Sequence, residues 1–390
     1  MNEELNKYSR VPLIISFKEI SEYKDTYAGE IGTVALTAHL LKPESSNGKS
    51  IVIFMHPTGG GAYLPMLNAL AKQGVDTIWC DSRYRGTDSA LIMEKVLIDL
   101  GECIKHLKQV HKYEKVILGG WSGGGSLSLF YQSQAENPSI TETPAGDPID
   151  LVSQKFIPAD GLMLIAAHES RHRTFTEWID ASVNDEANPE NRDEELDIYN
   201  KENPNQPKYS EDFIKIYRAS QIKRNRNITS WVQQKLEDFT KDGEKNREFG
   251  FVVHRTMADP KWLDSTIDPN GRKPNWCFLG EPEIVNNSPI GLGRYCSLRS
   301  WLSQWSYDLA QGDGLTCAKN ISIPSLVIGN TDDDGITPSH TKNLYNSIEH
   351  EDKCLEWIEG ANHYYFGQPE KSKESATVCR KWLERSNLIS

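Results

Sequence analysis

A serine held between glycines is the residue of this chain best suited to act as a nucleophile. Ser122 lies in Gly119-Gly120-Trp121-Ser122-Gly123-Gly124-Gly125, directly after the apolar run Val116-Ile117-Leu118. Small neighbours allow a predicted strand to turn sharply into a predicted helix, and such a turn exposes the side chain at its tip. The alternative is an incidental serine in a glycine-rich loop, which the flanking strand and helix argue against.

A serine hydroxyl is a poor nucleophile unless a base takes its proton and a third group orients that base. The histidine candidate is His363, in a loop after the predicted strand that ends at Ile358. The acid candidates are Asp332, Asp333 and Asp334, which follow the predicted strand that ends at Ile328. At most one of these aspartates can orient the histidine, so the others are expected to form a turn or to cap the next helix.

Acyl transfer also needs hydrogen-bond donors for the oxyanion of its transition state. The backbone N–H of Gly123 is one candidate. The second is expected in the turn His56-Pro57-Thr58-Gly59-Gly60-Gly61, where Pro57 has no N–H and either Thr58 or Gly59 is the donor. A phosphate-binding loop is the alternative for this turn, but the Lys-Ser/Thr ending of a nucleotide loop is missing.

Buried strands alternate with helices over most of the chain. The strands are predicted at 51–55, 75–80, 115–118, 161–167, 325–328 and 354–358. This alternation predicts an open, mostly parallel α/β sheet with helices on both faces. The carboxyl ends of parallel strands meet at one edge, where ligands of such sheets bind.

Residues 168–316 interrupt the alternation and are rich in Trp, Asn, Asp, Glu and Pro. We predict that they form an inserted, mainly helical cap over a core of residues 1–167 and 317–390. Helical stretches are expected at 211–219 and 228–239. The alternative is a separate domain with its own partner.

The inserted segment begins with His168-Glu169-Ser170-Arg171-His172-Arg173, at the expected ligand edge of the sheet. Arg171 or Arg173 can hold a substrate carboxylate. The favoured alternative is a hinge whose arginines form salt bridges with the acidic tract from Asp185 to Asp197. Trp121, His168 and Arg171 are the candidate substrate contacts.

Two further groups of residues have a structural and a functional interpretation. Six tryptophans of the inserted segment either line a pocket or form the segment's own core: Trp178, Trp231, Trp262, Trp276, Trp301 and Trp305. The run from Asp81 to Gly86 either borders the site or joins a strand to a helix.

Taken together, these motifs resemble those of the α/β-hydrolase superfamily. The resemblance rests on Gly-x-Ser-x-Gly, the His-x-x-Gly-Gly turn, a downstream Asp and the final Gly-Ala-x-His, in the chain order Ser, Asp, His. It implies an eight-stranded, mostly parallel sheet with the cap inserted after the sixth strand. It also implies that Ser122 is the nucleophile and His363 the general base and acid. In this superfamily the acid usually lies three residues after the glycine at the strand end and four residues before a proline. Counting from Gly329 gives Asp332, and counting back from Pro338 gives Asp334. Asp333, which lies between them, is therefore the predicted orienting acid, and Asp334 is the next choice.

Composition excludes several classes of protein. The chain has 390 residues and a net charge of −12, which argues against a nucleic-acid partner. The start of the chain, from Met1 to Glu4, is polar and acidic, and the apolar runs are strand-sized, so neither a secretory signal nor a membrane span is expected. Seven scattered cysteines predict free thiols in a reducing cytoplasm rather than disulfides or a zinc site. No metal or nucleotide cofactor is implied.

The sequence therefore predicts a cytoplasmic, carboxylesterase-like serine hydrolase that acts on a mid-sized organic molecule. The scissile group is a carboxylic ester, lactone, thioester or amide, cleaved through an acyl-enzyme. A carbon–carbon bond hydrolase or an acyltransferase with the same triad is the first alternative. A ligand-binding receptor with a residual hydrolase site is the second. The expected partner is a small-molecule substrate, and homo-oligomerisation is left open.

Overall fold

The computed structural model describes residues 6–24 and 29–389, so the predictions made on Met1 to Glu4 lie outside the described residues. The described strands are β1 (Tyr8–Lys18), β2 (Thr33–Pro43), β3 (Ser50–Phe54), β4 (Thr77–Cys80), β5 (Lys115–Trp121), β6 (Gly161–Ile165), β7 (Gly250–Val252), β8 (Tyr295–Ser297), β9 (Ser325–Asn330) and β10 (Lys353–Ile358). The described α-helices are α1 (Pro65–Lys72), α2 (Met93–Gln109), α3 (Gly123–Glu136), α4 (Arg171–Trp178), α5 (Glu211–Lys241), α6 (Pro282–Asn287), α7 (Leu298–Gln304), α8 (Gly314–Ala318), α9 (Pro338–Ser347) and α10 (Pro369–Arg385).

The main sheet has eight strands in the order β1-β2-β4-β3-β5-β6-β9-β10. The pairs β1–β2 and β2–β4 are antiparallel. The strands from β4 to β10 in this order run parallel to one another. Strands β3, β5, β6, β9 and β10 therefore end at the same edge, and their C-terminal loops are neighbours.

The central strands are continuously apolar because both faces of the sheet are covered. In β3, Ile51 and Ile53 pack into the core formed with α2 and α3, whereas Val52 and Phe54 pack into the core formed with α1 and α10. The alternation of side chains along the strand thus supplies two hydrophobic layers at once.

Between β6 and β9 the chain forms α4 to α8 and a small antiparallel ribbon of β7 and β8. This segment has its own apolar clusters, one around Phe175, Trp301 and Trp305 and another around Trp178 and Trp262. Four of its six tryptophans are thus part of its own core, whereas Trp231 and Trp276 are 39% and 37% exposed.

Helix α5 is one continuous helix of 31 residues, where the sequence predicts two shorter stretches. The polar residues between those stretches are helical because their side chains bind buried groups of the inserted segment. Gln221 donates to the Ile179 carbonyl at 2.8 Å, and Asn225 donates to the Trp305 carbonyl at 2.8 Å. Since a polar stretch without an apolar period gives no helix signal, this continuity was not predictable from pattern alone.

Helix α8 spans the predicted boundary at residue 316 and packs against α3, through Cys317 and Ala318 in the core cluster of the main sheet. None of the helices in the described ranges combines the length and the apolarity needed to cross a bilayer. The seven cysteines are all free thiols, and six of them are buried.

Candidate active site

Ser122 occupies a strained turn between β5 and α3. Its backbone has φ 49° and ψ −122°, a left-handed φ that residues with a side chain rarely adopt. A Cβ on Gly120 would lie 2.6 Å from the Cα of Gly125, and a Cβ on Gly124 would lie 2.5 Å from the Met55 carbonyl oxygen. Glycine is required at these positions because β5, α3 and the end of β3 approach each other so closely.

The Ser122 hydroxyl faces a small cavity. Ser122 is half-buried and lines a cavity of about 140 Å³ together with His56, Thr58, Trp121 and Tyr364. The serine is therefore accessible from the C-terminal edge of the sheet.

His363 is hydrogen-bonded to Asp333. Its Nδ1 lies 2.9 Å from Oδ2 and 3.0 Å from Oδ1 of the carboxylate, and both side chains are almost fully buried. The carboxylate is itself held in place, since Oδ1 accepts from the N–H groups of Gly335 and Ile336 at 2.8 and 2.7 Å. Burial opposes protonation of His363, but the charge and hydrogen bond of Asp333 outweigh it and raise the pKa of the imidazole.

The other two aspartates of the triplet make no hydrogen bond to His363 Nδ1 in the described part of the chain. Asp332 Oδ1 accepts from the Thr331 hydroxyl at 3.2 Å. Burial and the neighbouring charge of Asp333 raise the pKa of Asp334 to about 6. Of the three candidates, Asp333 is the one that the fold directs at the imidazole.

The imidazole lies beside the serine turn. The His363 ring stands edge-on to the indole of Trp121, with 6.2 Å between ring centroids. Its charge is also close enough to contribute to the lowered pKa of both His56 and His168. The loops after β3, β5, β6 and β10 thus bring His56, Ser122, His168 and His363 into one cluster.

The inserted segment covers the loop that carries Asp333. Asn270 Nδ2 donates to the Asp333 carbonyl at 2.8 Å, and Trp262 Nε1 donates to the Asp334 carbonyl at 3.2 Å. The Phe278 ring lies 6.0 Å from the His363 ring, centroid to centroid. These contacts separate the imidazole from bulk water.

The predicted backbone donors of the His56–Gly61 turn are engaged elsewhere. The Gly59 N–H donates to the His56 carbonyl at 2.8 Å, and the Thr58 N–H donates to His56 Nδ1 at 3.3 Å. Both N–H groups thus bond within the turn, and the role of Thr58 or Gly59 as the second oxyanion donor stays a prediction. Gly123 is the first residue of α3, where backbone N–H groups have no intrahelical acceptor, so it keeps the predicted donor position.

The His56 side chain is a donor that the sequence analysis missed. Nδ1 lies 3.3 Å from the Thr58 amide nitrogen and 2.9 Å from the Thr58 hydroxyl oxygen, and a neutral ring that accepts from the N–H at Nδ1 has its proton on Nε2. Burial, with the charges of Arg171 and His363, lowers the pKa of His56 to about 3, so the ring is neutral at physiological pH. A Cβ on Gly123 would lie 2.6 Å from His56 Nε2. The histidine of the His-Pro-Thr-Gly motif could have indicated this donor, but the sequence analysis assigned the role to the backbone N–H groups of the turn.

The run from Asp81 to Gly86 supports the His56–Gly61 turn. Asp81 Oδ1 accepts from the Gly60 N–H at 2.6 Å, and Ser82 Oγ donates to the Pro57 carbonyl at 2.5 Å. Arg83 is buried and pairs with Asp99 at 2.8 Å. This run therefore borders the site by holding the turn in place.

The arginines that open the inserted segment do not form the predicted hinge. Arg173 pairs with Asp313 at 2.6 Å, and Arg171 donates to Gln304 at 2.8 Å. The acidic tract instead binds other arginines, such as Arg255, which reaches Asp197 at 2.8 Å. The predicted salt bridges between the 168–173 run and the acidic tract are therefore wrong.

His168 and Trp121, two of the predicted substrate contacts, lie next to the serine turn. A Cβ on Gly123 would lie 3.2 Å from His168 Nε2. Trp121 stacks on Tyr364, with 6.5 Å between ring centroids. Within the described ranges, no group of three or more His, Cys, Asp or Glu side chains is arranged to hold a metal ion.

Comparison with solved structures identifies the fold. A carboxyl esterase from Bacillus coagulans in complex with glycerol matches with a TM-score of 0.51 and 11% identity, over 97% of this chain and 99% of that chain. The DcsB complex with its substrate analogue matches with a TM-score of 0.50 and 12% identity, over 96% and 100% of the two chains. No family model matches the sequence. The comparison with curated proteins finds no match either.

These likenesses, the strand order and the serine turn show that the chain has the α/β-hydrolase fold. The fold class predicted from the sequence is thereby confirmed.

Proposed function

We propose that this protein is a serine hydrolase that cleaves a carboxylic ester, lactone, thioester or amide through an acyl-enzyme. The hydrogen bond between His363 Nδ1 and Asp333, next to the strained turn at Ser122, is the observation on which the proposal rests. The esterase named in the Bacillus coagulans structure supports ester cleavage as the general reaction.

The proposed reaction begins at Ser122. Since His363 Nδ1 donates to Asp333, Nε2 is the unprotonated nitrogen that accepts the Ser122 proton. The Ser122 oxygen bonds to the carbonyl carbon, and the carbonyl oxygen becomes the oxyanion. His363 then protonates the leaving group as the carbon–leaving-group bond breaks. Water then gives a proton to His363 and bonds to the acyl carbon. The bond from that carbon to the Ser122 oxygen breaks, His363 returns the proton to Ser122, and the acid is released.

Two donors are proposed for the oxyanion, the Gly123 N–H and the His56 Nε2–H. The first is favoured by the dipole of α3, whose N-terminus begins at Gly123. The second is held by the Thr58 N–H at His56 Nδ1. Neutral donors in a buried site stabilise the developing charge without reorganising.

We also propose that residues 168–316 act as a cap over a core formed by 1–167 and 317–390. The contacts of Trp262, Asn270 and Phe278 with the loops of Asp333 and His363 support this role. Exclusion of water by the cap would strengthen the interaction of the donors with the oxyanion. The proposed partner is a small-molecule substrate.

The function is tested by covalent labelling and turnover. A fluorophosphonate probe should label Ser122, and the protein should hydrolyse a simple aryl ester. Ser122→Ala should abolish labelling and lower kcat by about 10⁴- to 10⁶-fold. Ser128→Ala, the same change on a buried serine of the following helix α3, is the matched control and should keep the rate.

A label on another residue, or an unchanged rate for Ser122→Ala, would contradict the proposal. Turnover in ¹⁸O-labelled water places one label in the product acid if water is the acceptor. If an alcohol is added and the product is a new ester of that alcohol without ¹⁸O, the protein is instead an acyltransferase.

A further inference from the structure

We propose that Arg171, at the start of α4, forms a buried subsite for a carboxylate group of the substrate. The inference rests on the proposed function and adds a substrate class to it. The preferred substrate would be an acyl compound that has a second, free carboxylate, such as a hemiester of a dicarboxylic acid.

The position of Arg171 in the chain places it near the serine turn. Arg171 is the first residue of α4, three residues after His168, whose Nε2 lies next to Gly123. The charge of Arg171 is the second contribution, after burial, to the lowered pKa of both His56 and His168. The guanidinium is therefore part of the cluster that surrounds the serine turn.

The hydrogen-bonding capacity of Arg171 is mostly unused. The residue is only 4% exposed, yet toward the described residues its guanidinium donates one hydrogen bond, from Nη2 to Gln304 at 2.8 Å. The nearest carboxylate, Asp88 Oδ2, is 3.9 Å away, and it accepts from the Gly293 N–H at 3.1 Å. Nε is buried with no acceptor among the described residues. A planar guanidinium has five N–H donors, so this group has room for a bidentate acceptor.

Other buried arginines of the chain are better satisfied. Arg255 contacts the carboxylates of Asp180 and Asp197 at 2.6 and 2.8 Å. Arg272 donates to several backbone carbonyls, including those of Lys261 and Ile267 at 2.7 Å. Burial of a charge without such partners is costly, and a bound anion would remove that cost at Arg171.

Two further groups at the start of α4 are suited to an anion. Ser170, the residue before the helix, makes no capping hydrogen bond, and its hydroxyl is buried without a partner in the described chain. His168 Nδ1 is also buried without a partner there. The N-terminus of a helix favours negative charge, because its first N–H groups are unpaired and its dipole is positive.

The charge of the cluster selects an anion rather than a cation. His56 and His168 are neutral because burial and Arg171 lower the pKa of each ring. Arg171 stays charged at neutral pH, although burial lowers its pKa to about 10. The guanidinium also lies over the Trp305 ring, with its Cζ 4.3 Å from the ring centroid.

The inference is tested with matched aryl esters. The 4-nitrophenyl hemiesters of succinate, glutarate and adipate are compared with the same compounds methylated at the free carboxylate. We expect kcat/KM to be about 10- to 100-fold higher for the acid at one chain length, mainly through KM. Arg171→Gln should remove this preference, and Arg171→Lys should retain part of it. Arg173→Gln, at the neighbouring arginine that pairs with Asp313, is the control and should keep the preference.

A binding measurement separates this inference from the proposed function. Glutarate, titrated calorimetrically into Ser122→Ala, should bind, and the double variant Ser122→Ala/Arg171→Gln should not bind it. Arg171-dependent binding without any ester turnover would keep the subsite and reject the hydrolase. Turnover of methylated esters with no anion preference at any chain length, and no Arg171-dependent binding, would overturn the subsite and keep the hydrolase.

Discussion

At the scale of single residues, the proposed chemistry depends on which nitrogen of each imidazole has the proton. Asp333 accepts from His363 Nδ1, which leaves Nε2 free to act as a base. His56 Nδ1 contacts the N–H and the hydroxyl of Thr58, and the proposed oxyanion role requires that Nδ1 accept while Nε2 keeps its proton. The proposed mechanism thus needs opposite tautomers in two histidines of the same cluster.

Asp333→Asn tests the orientation and the pKa of His363. Without the carboxylate, burial dominates and the pKa of His363 falls below its present raised value. The loss of kcat/KM on the acid side of the pH profile should therefore occur at a lower pH than in the wild type. The rate should fall on the order of 10⁴-fold, because an asparagine also permits the wrong tautomer.

Asp334→Asn is the matched change in the next residue and should keep kcat within several-fold, since Asp334 makes the smallest contribution to the His363 pKa. Equal losses in the two variants would reject Asp333 as the orienting acid.

His56→Ala should lower kcat by about 10²- to 10³-fold with little change in KM, as expected for one lost oxyanion donor. His56→Gln, which retains an N–H near the Nε2 position, should recover part of this rate. The pH profile should stay that of the wild type, because His56 is neutral throughout the neutral range. Unfolding curves of both variants check the fold, and a full rate in a folded His56→Ala would remove the side chain from the mechanism.

At the scale of elements, the site exists because parallel strands end at one edge of the sheet. The loops after β3, β5, β6, β9 and β10 supply His56, Ser122, His168, Asp333 and His363, respectively. These residues are far apart in sequence and meet only through the strand order. The close approach of α3 to the end of β3 then brings Gly123 against the His56 ring.

Gly124→Ala tests that close approach. In an exposed helix this change would stabilise by about 1 kcal/mol through helix propensity. Here the new methyl group would lie 2.5 Å from the Met55 carbonyl oxygen, so α3 and the end of β3 must separate. We expect a net loss of about 1–3 kcal/mol in the free energy of unfolding and a reduced kcat. Gly312→Ala, where a Cβ would have an ordinary contact of 3.4 Å, should be neutral in both measurements. An active Gly124→Ala of wild-type stability would show that the turn tolerates a wider separation.

At the scale of the whole molecule, buried polar contacts join the inserted segment to the core. Ser303 in α7 donates to Glu94 Oε2 in α2 at 2.7 Å and accepts from the Met93 N–H at 2.8 Å. Glu177 in α4 lies 3.3 Å from His340 Nε2 in α9. Such contacts require the two parts to fold against each other, so the stability of the chain depends on both.

Glu94 makes that stability depend on pH. Burial raises the pKa of Glu94 to about 7 from an ordinary value of 4.5, so the folded chain binds a proton that the unfolded chain releases. The Glu94 contribution therefore destabilises the fold progressively as pH rises from about 4.5 to about 7. At about 1.4 kcal/mol per pH unit, the total is about 3 kcal/mol.

Glu94→Gln should remove this dependence and increase the free energy of unfolding at pH 8 relative to wild type. Denaturant unfolding between pH 5 and pH 8 measures the difference between the two proteins. The free energies of unfolding of the two proteins should be similar at pH 5, and the difference between them should grow as the pH rises. Parallel curves would show that Glu94 is ionised in the folded chain at pH 5.

Much of the fold was predictable because its signals are local. Continuous apolar runs predicted β3 and β6 as strands buried on both faces, and the structure has them as central strands. The inserted segment was harder, since the polar middle of α5 shows no apolar period and its helix depends on partners such as Ile179 and Trp305. The ion-pair partners of the arginines in residues 168–173 were also wrongly predicted, because a charged residue alone does not indicate which opposite charge it will contact.

The sequence by itself determined the α/β alternation and placed Ser122, His363 and the three aspartates at strand ends, because apolar runs and glycine clusters act within a few residues. The tertiary structure alone decided that Asp333 faces His363, that the Gly59 N–H bonds within its own turn while the His56 ring lies against Gly123, and that Arg171 is buried at the start of α4. These outcomes depend on angles and distances between loops that only the packed sheet brings together.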